Sequence, residues 1–484
     1  MDQQKNDYQY KWAIFIAVGM GIFLSTIDGS IVNVSLPTLV RELNTDFATI
    51  QWVTLAYLLT ITTLMLSAGR LADIIGKKPV FVTGYIIFTI GSLLCGLSNS
   101  AYTLIAARVF QGIGASMNMA LGMAIITESF PPRQRGMALG SAGAIVSIGI
   151  VLGPTMGGLI LNALTWHWIF FVNLPVGIIG VLMVLRFVPN IKPIGKQKFD
   201  YMGAGTLFLS LLSFLFALTL GQSLGFFSII PLSLIASFLV FLAIFIRTEL
   251  HSNEPMIDLR LFKNDLFSTN LGTGFITFVS ISGSIILMPF YLENILGHNT
   301  ATIGLLMATV PIGMGIMAPI SGSLSDRFGS RPITVAGLAI LVVGYIAIST
   351  LGENTTILGY VLRYIPIGIG MGIFQSPNNS AIMGTAPKER LGIVSGMLAI
   401  TRTLGQTTGI AILGAIWASR VYAHAGKVLP GGVTTADPTS QVVGLNQTFS
   451  IVIILIVIAL LIGTWTLVKE RRAKQHGLET NSLN

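Results

Sequence analysis

The sequence predicts an all-α polytopic membrane protein with fourteen transmembrane helices. Hydrophobic residues make up 53% of its 484 residues and charged residues only 10%, which is far from the composition of a soluble domain. Apolar runs of about 20 residues, the length that crosses the hydrocarbon core of a bilayer, recur along the chain. The positive charges are concentrated in every second connection between these runs, as expected of a chain that crosses the membrane repeatedly.

The apolar runs follow one another with short connections, and we expect each to form one helix that spans the membrane. They lie at residues 13–36, 51–69, 80–98, 102–126, 137–161, 167–187, 201–221, 226–246, 267–291, 302–323, 333–350, 356–377, 391–417 and 448–468.

The distribution of Lys and Arg predicts the topology. An even number of spans places both termini on one side, and if that side is cytoplasmic its loops contain 22 of the 28 Lys and Arg residues. We therefore expect a multi-pass protein of a bacterial inner membrane with both termini in the cytoplasm. The basic C-terminal tail, with Lys469, Arg471, Arg472 and Lys474, is interpreted as a topology anchor, and contact with anionic lipid is the alternative. The remaining basic residues are Arg41, Arg420 and Lys427 on the other side, and Arg108, Arg363 and Arg402 within spans.

Several other functions are disfavoured by composition. The net charge of +9 does not indicate nucleic-acid binding, because the basic residues form no stripe with interleaved aromatics. The single cysteine, Cys95, rules out an internal disulfide and a cysteine metal site, and the scattered histidines predict no other metal site. Residues 1–12 lead into the first span without a cleavage pattern, so we read them as a retained cytoplasmic tail.

A repeat divides the chain into two halves. The segment GRLADIIGKKP at residues 69–79 returns as GSLSDRFGSRP at 322–332, and PRQR at 132–135 returns as PKER at 387–390. Parallel repeats place a substrate site at their interface near the membrane midplane. The predicted organisation is a tail at 1–12, a six-helix half at 13–187, a linker with two inserted helices at 188–247, a linker at 248–266, a six-helix half at 267–468 and a cytoplasmic tail at 469–484.

Span one contains the sequence LSTIDGSIVNVSLP at residues 24–37, with Asp28 near its middle and Asn33 further on. A carboxylate at that depth costs about 2.5–3.5 kcal/mol, so it is expected to face a wet cavity or a partner. Such a group can take up and release a proton, although a static role as a buried partner of an arginine is the alternative. Asn33 is a candidate for the substrate cavity.

The repeated loop after the second span of each half is rich in glycine, which permits a tight reversal of the chain. Its marked positions are Gly69, Asp73 and Gly76, and in the second copy Gly322, Asp326 and Gly329. A glycine-rich phosphate cradle is disfavoured, because the loop lacks the preceding strand and the required spacing.

Span four contains LIAARVFQGIGA at residues 104–115. Arg108, Gln111 and Asn118 share one helical face and are predicted to line the cavity, with Arg108 as the ion-pair partner of Asp28. The alternative for Arg108 is a fixed brace between helices.

Span five contains GIVLGPTMGG at residues 149–158. Its glycines at every fourth position allow another helix to approach closely, and its proline interrupts the hydrogen-bond ladder. The marked residues are Gly149, Gly153, Pro154, Gly157 and Gly158.

These four motifs, in this order, resemble the major facilitator superfamily and, within it, the fourteen-span drug:proton antiporter group. The resemblance covers about residues 13–468. It implies two six-helix bundles with two inserted central helices, and alternating access powered by the proton gradient without a bound cofactor. For single residues it implies proton coupling at Asp28 and Arg108, a conformational latch in the repeated loops, and, for the glycine motif, exchange of substrate for protons.

The sequence departs from the group's pattern at His167, which stands between Trp166 and Trp168 where an arginine is expected. We interpret His167 as an interfacial residue, with a second proton carrier as the alternative. Deep acids are also scarce, since only Asp28 lies far inside a span. This favours a neutral, zwitterionic, anionic or at most monovalent cationic substrate over a multivalent cation.

In the second half, further polar side chains are candidates for the other wall of the substrate cavity. They are Gln375, Asn378, Asn379, Arg402 and Gln406.

The favoured function is proton-coupled export of a small hydrophobic or amphiphilic compound, such as a drug or toxin, by a monomer in contact with the lipid bilayer. Transport of an endogenous metabolite, sugar, lipid or siderophore is the alternative, because the fold does not determine the substrate. A membrane enzyme or a receptor that does not transport is a remote alternative, since no catalytic constellation and no soluble output domain is evident.

Overall fold

The structure is a computed structural model that describes residues 10–131, 134–190, 201–225, 227–251, 259–384, 391–426 and 432–481. Within these ranges the chain forms sixteen α-helices and no β-strand. Eleven helical segments in this part are long and apolar enough to cross a membrane. Helices are the expected solution, because a backbone in hydrocarbon must pair its N–H and C=O groups within its own segment.

The helices are numbered in chain order. The first half contains α1 (Lys11–Glu42), α2 (Phe47–Ile75), α3 (Lys77–Gly96), α4 (Ala101–Ser129), α5 (Arg135–Ala163), α6 (Trp168–Phe171) and α7 (Asn173–Phe187). The inserted helices are α8 (Tyr201–Leu224) and α9 (Ile229–His251). The second half contains α10 (Asp265–Phe290), α11 (Thr300–Met307), α12 (Thr309–Phe328), α13 (Ser330–Ile348), α14 (Ile357–Gly384), α15 (Leu391–Ala425) and α16 (Pro438–Asn481).

These sixteen helices correspond to the fourteen predicted spans, because two spans each consist of two consecutive helices. Span six is divided at Val172, between α6 and α7, and span ten at Ala308, between α11 and α12. The predicted fold class is confirmed, but several ends are displaced. Helix α1, for example, continues through Pro37 to Glu42, since a proline is tolerated inside a membrane helix when neighbouring groups satisfy the freed backbone.

The two halves repeat the same helix contacts. In the first half α3 and α4 pack closely at Gly84 and Gly114, and in the second half α13 and α14 do so at Gly337 and Gly370. A Cβ atom added at Gly337 would lie 2.6 Å from the backbone nitrogen of Phe374 and 3.0 Å from the carbonyl oxygen of Gly370. The glycines therefore allow the backbones of these helix pairs to touch.

The repeated loops turn on single glycines, as predicted. Gly76 alone separates α2 from α3 and has φ +100°, and Gly329 alone separates α12 from α13 and has φ +86°. Only glycine adopts such values without strain. The side chains of Asp73 and Asp326 lie outside the part of the chain that the structure describes, so their latch role stays a prediction.

The two ends of the bundle differ. We call the end at which α1 begins the terminal face and the other end, where α1 gives way to α2, the opposite face. Toward the opposite face one continuous hydrophobic core contains residues of both halves, among them Phe47, Phe290 and Trp417. Toward the terminal face each half has its own core, one around Phe81 and one around Phe267. The halves are therefore joined at the opposite face and packed separately toward the terminal face.

Replacement of Gly337 by alanine tests the close packing of α13 on α14. Gly337→Ala forces the added methyl group against backbone atoms, which cannot rotate away, and we expect a loss of about 1–3 kcal/mol of stability, the usual cost of overpacking. Thermal unfolding of the purified protein, followed by size-exclusion chromatography, measures the effect. Gly205→Ala on α8 is the matched control, because a Cβ there meets no atom within 4 Å, and an equal loss in both variants would contradict the interpretation.

Candidate functional site

The first half encloses a buried ion pair between Asp28 of α1 and Arg108 of α4. Both side chains have no exposed surface, and Nη1 of Arg108 donates to Oδ2 of Asp28. The structure thus brings together the two residues that the sequence predicts as the proton-coupling pair. Charges at this depth are stable only when each is compensated.

The guanidinium of Arg108 is positioned from several sides. Its Nε donates to the carbonyl oxygen of Val53 on α2 at 3.0 Å, and its Nη1 also donates to Oε1 of Gln111 at 2.6 Å. Its central carbon lies 3.9 Å from the ring centroid of Tyr57, a cation–π contact. Nη2 has no hydrogen-bond partner within the described ranges. Arg108 is thus fixed in place with one donor still available.

The second oxygen of Asp28 accepts two hydrogen bonds. Nε2 of Gln111 and Nδ2 of Asn173 each donate to Oδ1 at 2.9 Å. Gln111 also donates to Oγ of Ser92 at 2.8 Å, which ties the carboxylate to α3. Asn173 is the first residue of α7, so the break in span six directs its side chain at the carboxylate.

Every described hydrogen-bond neighbour of the Asp28 oxygens is a donor. Protonation of Asp28 would remove the charge that compensates Arg108, while Arg108 would retain Gln111 and the Val53 carbonyl. The cluster therefore has two chemically distinct states that differ by one proton.

The predicted close approach at the glycine motif of span five is present. Gly149, Gly153 and Gly157 lie against α1, where Oγ of Ser30 donates to the carbonyl oxygen of Gly149 at 3.1 Å. Added Cβ atoms at these positions would meet residues Thr26 to Ile31, directly beside Asp28. The motif thus packs α5 against the segment of α1 that contains the buried carboxylate.

The motif also reaches the second half. Gly158 faces Gly304 of α11 at the opposite face, and a Cβ on Gly158 would lie 2.9 Å from the Cα atom of Gly304. Pro154 takes part in this contact through its carbonyl oxygen. The last turn of the motif therefore contributes to the closure between the halves.

Polar and aromatic contacts complete that closure. Arg41, at the end of α1, forms an ion pair with Glu293, which lies on a single π-helical turn, Tyr291–Ile295, after α10. The Phe47 ring lies 5.0 Å from the rings of both Phe290 and Trp417. The two halves are thus locked together at the opposite face.

The second half has hydroxyl groups in place of the ion pair. Tyr364 precedes Gly370 by six residues, just as Arg108 precedes Gly114, and the two glycines make equivalent contacts. Tyr364 and Tyr345 are fully buried, with Ser284 of α10 beside both. The charged cluster of the first half is therefore replaced by neutral side chains in the second half.

The other predicted cavity residues are distributed unevenly. Gln111 and Asn118 are fully buried between helices, so the prediction that the polar face of α4 lines an open cavity does not describe this conformation. Asn118 packs against Gly84. Asn33 is half-buried, and its Oδ1 accepts a hydrogen bond from Oγ1 of Thr54 at 3.3 Å.

In the second half, Gln375, Asn379, Arg402 and Gln406 are half-buried, whereas Asn378 is buried. Asn378 donates through Nδ2 to the carbonyl oxygen of Asn270 at 3.3 Å. Their role as substrate contacts stays a prediction.

Arg363 is not a deep charge, although it falls within a predicted span. It lies in the first turns of α14, where Nε donates to Oγ1 of Thr350 at 3.1 Å and Nη1 to the carbonyl oxygen of Gly359 at 2.9 Å. His167 lies in the connection before α6, stacked on Trp166 at 3.8 Å between ring centroids, in agreement with an interfacial position.

Sequence reasoning missed Asn173, Ser92 and Tyr57 as parts of the Asp28 cluster. A polar amide inside an apolar span was the available signal for Asn173. Nothing in the sequence distinguishes Tyr57 from other tyrosines, because its role depends on the packing of α2 against α4.

Comparison with known proteins agrees with this architecture. The sequence profile of the Major Facilitator Superfamily matches residues 18–200 and 201–410. The chain is 34% identical over 415 residues to the riboflavin transporter RibZ of Clostridioides difficile, covering 84% of this chain and 88% of that protein. It is also 34% identical over 422 residues to the multidrug transporter protein MdtP of Bacillus subtilis, covering 87% of this chain and 78% of that protein.

Solved structures show the same fold. A bacterial homologue of the human lysosomal transporter Spinster, in an inward-facing and unoccupied conformation, superimposes with a TM-score of 0.65 at 18% identity and covers 94% of this chain and 96% of that chain.

The multidrug resistance protein Stp of Mycobacterium tuberculosis is a further relative, 30% identical over 423 residues, which are 86% of this chain and 79% of that protein. The chain therefore belongs to the Major Facilitator Superfamily and is a membrane transporter of small molecules rather than an enzyme.

Proposed function

We propose that this transporter couples the entry of protons to the export of a small hydrophobic or amphiphilic compound, such as a drug or toxin, by alternating access. In this proposal it resides in a bacterial inner membrane with both termini in the cytoplasm, works as a monomer and contributes to antibiotic resistance when its substrate is an antibiotic. The proton gradient is its energy source.

The Asp28–Arg108 cluster is the observation that carries the proposal. Asp28 is fully buried yet surrounded only by donors, so its protonation changes the balance of charge inside the first half. Because the glycine motif of α5 packs on the same segment of α1 and also contacts α11, a shift of α1 on protonation is transmitted to the contact between the halves. This is a physical path from proton binding to the opening of the opposite face.

The conformation of the structure fits one stage of such a cycle. With the termini in the cytoplasm, the closed opposite face is the outer one, and the separately packed ends open toward the cytoplasm. A substrate would enter from that side, and uptake of a proton at Asp28 belongs to the stage in which the outer face is open.

Transport of an endogenous metabolite is the second candidate. The relative named as a riboflavin transporter favours it, because that protein and those named as multidrug transporters are similar to this chain to a comparable degree. Both candidates use the same coupling cluster and differ in the substrate cavity.

Asp28→Asn tests the coupling role. Asparagine cannot release a proton, so we expect uptake driven by a pH gradient in proteoliposomes to fall at least tenfold, on the order of the effect of removing a positioned proton-transfer group. A panel of labelled hydrophobic and amphiphilic compounds, with riboflavin included, is compared in parent and variant.

The controls separate coupling from folding. Asp28→Glu keeps a titratable carboxyl group and should retain part of the transport, whereas Asp265→Asn makes the same substitution at an exposed carboxylate paired with Lys469 and should retain all of it. Undiminished gradient-driven transport by a folded Asp28→Asn variant would remove Asp28 from the mechanism. If the parent moves no compound under any gradient, the export proposal itself is wrong.

The Arg41–Glu293 pair tests alternating access. In a double variant with Arg41→Cys and Glu293→Cys, a short thiol cross-linker should join the halves at the opposite face and abolish transport, with recovery after a reductant cleaves the linker. The native Cys95 is buried and should not react. Each single variant treated in the same way serves as the control, and full transport by quantitatively cross-linked protein would show that this face does not have to open.

A further inference from the structure

Arg402 is an arginine in the interior of the second half that has no partner in the part of the chain that the structure describes. It is half-buried on α15, and among the described residues it forms neither an ion pair nor a hydrogen bond. The other buried arginine, Arg108, has several partners. A cation at this depth is costly unless it faces water or a compensating anion, so Arg402 is poised for a ligand.

The packing of α15 determines which way Arg402 points. Gly405 and Gly409 lie against α10, where added Cβ atoms would meet Phe278 and Val279, and Leu404 packs against the inserted helix α8. Arg402 precedes Gly409 by seven residues, so it lies on the side of α15 that faces α10, with Gln406 one turn further along at the edge of that side.

Helix α10 does not cover this side completely, because Arg402 and Gln406 remain half-buried. Nearer the opposite face, α15 touches the first half, where Gly414 lies beside Gln51 and Phe47. At the depth of Arg402 the halves have separate cores. Arg402 and Gln406 are therefore partly exposed at a depth where the two halves are packed separately.

A pair of amides supplies further unused hydrogen-bonding capacity at the same depth. Asn378 of α14 and Asn270 of α10 are buried, with 3% and 8% of their surfaces exposed. Oδ1 of Asn378 and Nδ2 of Asn270 have no hydrogen-bond partner among the described residues. Since Gly405 meets the carbonyl of Phe275, Arg402 lies about one turn closer to the terminal face, level with residues 271–274 and hence with the amide pair.

The helices that carry these side chains contain no acid at the depth of Arg402, and the buried Glu249 of the inserted helix α9 is engaged in other contacts. The sequences of α10, α14 and α15 include a single carboxylate, Asp265, which lies exposed at the start of α10 and is paired with Lys469. Asp28 belongs to the other half and is occupied by Arg108. The unmatched positive charge therefore has to be compensated by something that binds beside it.

We propose that Arg402, assisted by Gln406 and the Asn270–Asn378 amide pair, binds an oxyanion of the transported molecule, a carboxylate or a phosphate. This inference rests on the proposed export function and names its substrate class as amphiphiles with an anionic group. The guanidinium is suited to this role, because its planar fork pairs with both oxygens of such a group.

The oxyanion can belong to a soluble amphiphile or to the headgroup of an anionic lipid. Binding is therefore measured in lipid nanodiscs with two probes, a xanthene dye with a free carboxylate and the methyl ester of the same dye. Discs of zwitterionic lipid alone are compared with discs that contain phosphatidylglycerol. Fluorescence anisotropy at neutral pH reports the affinity for each probe.

In zwitterionic discs the parent should bind the acid about tenfold or more tightly than the ester, the effect of a hydrogen-bonded charged group. Arg402→Gln should abolish this preference by weakening the acid alone, and Arg402→Lys should keep part of it. Arg363→Gln, the same change at an arginine outside the interface, should leave it unaltered. Weaker binding of the acid by the parent in phosphatidylglycerol discs than in zwitterionic discs, with no such weakening in Arg402→Gln, would identify the lipid headgroup as the occupant of the oxyanion site.

The proposal is wrong if the parent does not prefer the acid, or if Arg402→Gln retains the preference. Either result would leave the export function standing, because that function is decided by gradient-driven transport and its dependence on Asp28. Conversely, the preference for the acid could depend on Arg402 while transport does not depend on the proton gradient. That pair of results would support the oxyanion site and reject proton coupling.

Discussion

A carboxylate at the depth of Asp28 has no bulk water to solvate it, and the compensation of its charge shapes the first half of the protein. Both oxygens are occupied by donors from α4 and α7. Arg108 in turn is held by a carbonyl of α2 and the ring of Tyr57. Removal of one partner from such a buried pair typically costs 3–5 kcal/mol. The four helices that surround the pair are thus arranged by a single electrostatic constraint.

Close helix contacts make this arrangement responsive. The segment of α1 around Asp28 is packed against glycines of α5, and the same glycine motif extends to α11 in the other half. Contacts of this kind leave little room for adjustment, because the two backbones touch without flexible side chains between them. In the proposed mechanism, a change at the carboxylate is therefore transmitted as a movement of helices rather than absorbed by side-chain rotation.

Much of this architecture could be predicted from the sequence, since the hydrocarbon thickness dictates the length of each span and the repeated glycine loops reveal the duplication. The pairing of Asp28 with Arg108 was also predictable, because two opposite charges inside spans have few ways to be stable other than together. The glycine contacts of α5 followed from their spacing of four residues.

Other features depend on packing between distant segments and could not be read from the sequence. The break in span six places Asn173 beside Asp28, but it does not change the hydropathy of the span and so gives no signal in the sequence. The shallow position of Arg363 depends on where α14 begins, and hydropathy does not determine helix ends. The burial of Asn118, expected on an open wall, reflects the close approach of α3 at Gly84. The Arg41–Glu293 pair joins residues of two halves, and only the conformation of the whole molecule decides whether they meet.

Under the proposed proton coupling, the replacement of the ion pair by tyrosines in the second half limits how much work each transport cycle can perform. If Asp28 alone carries protons, one elementary charge crosses per cycle, and a membrane potential of 100 mV supplies about 2.3 kcal/mol for it. That energy sustains roughly a fiftyfold concentration ratio of a neutral substrate. An anionic substrate that leaves the cell also moves one negative charge outward, so the membrane potential contributes to its export a second time. The highest concentration ratio for such a substrate is therefore the square of the ratio for a neutral one. In the proposed cycle, with Asp28 as the single proton carrier and Arg402 as the oxyanion site, anions would be expelled more steeply than neutral compounds.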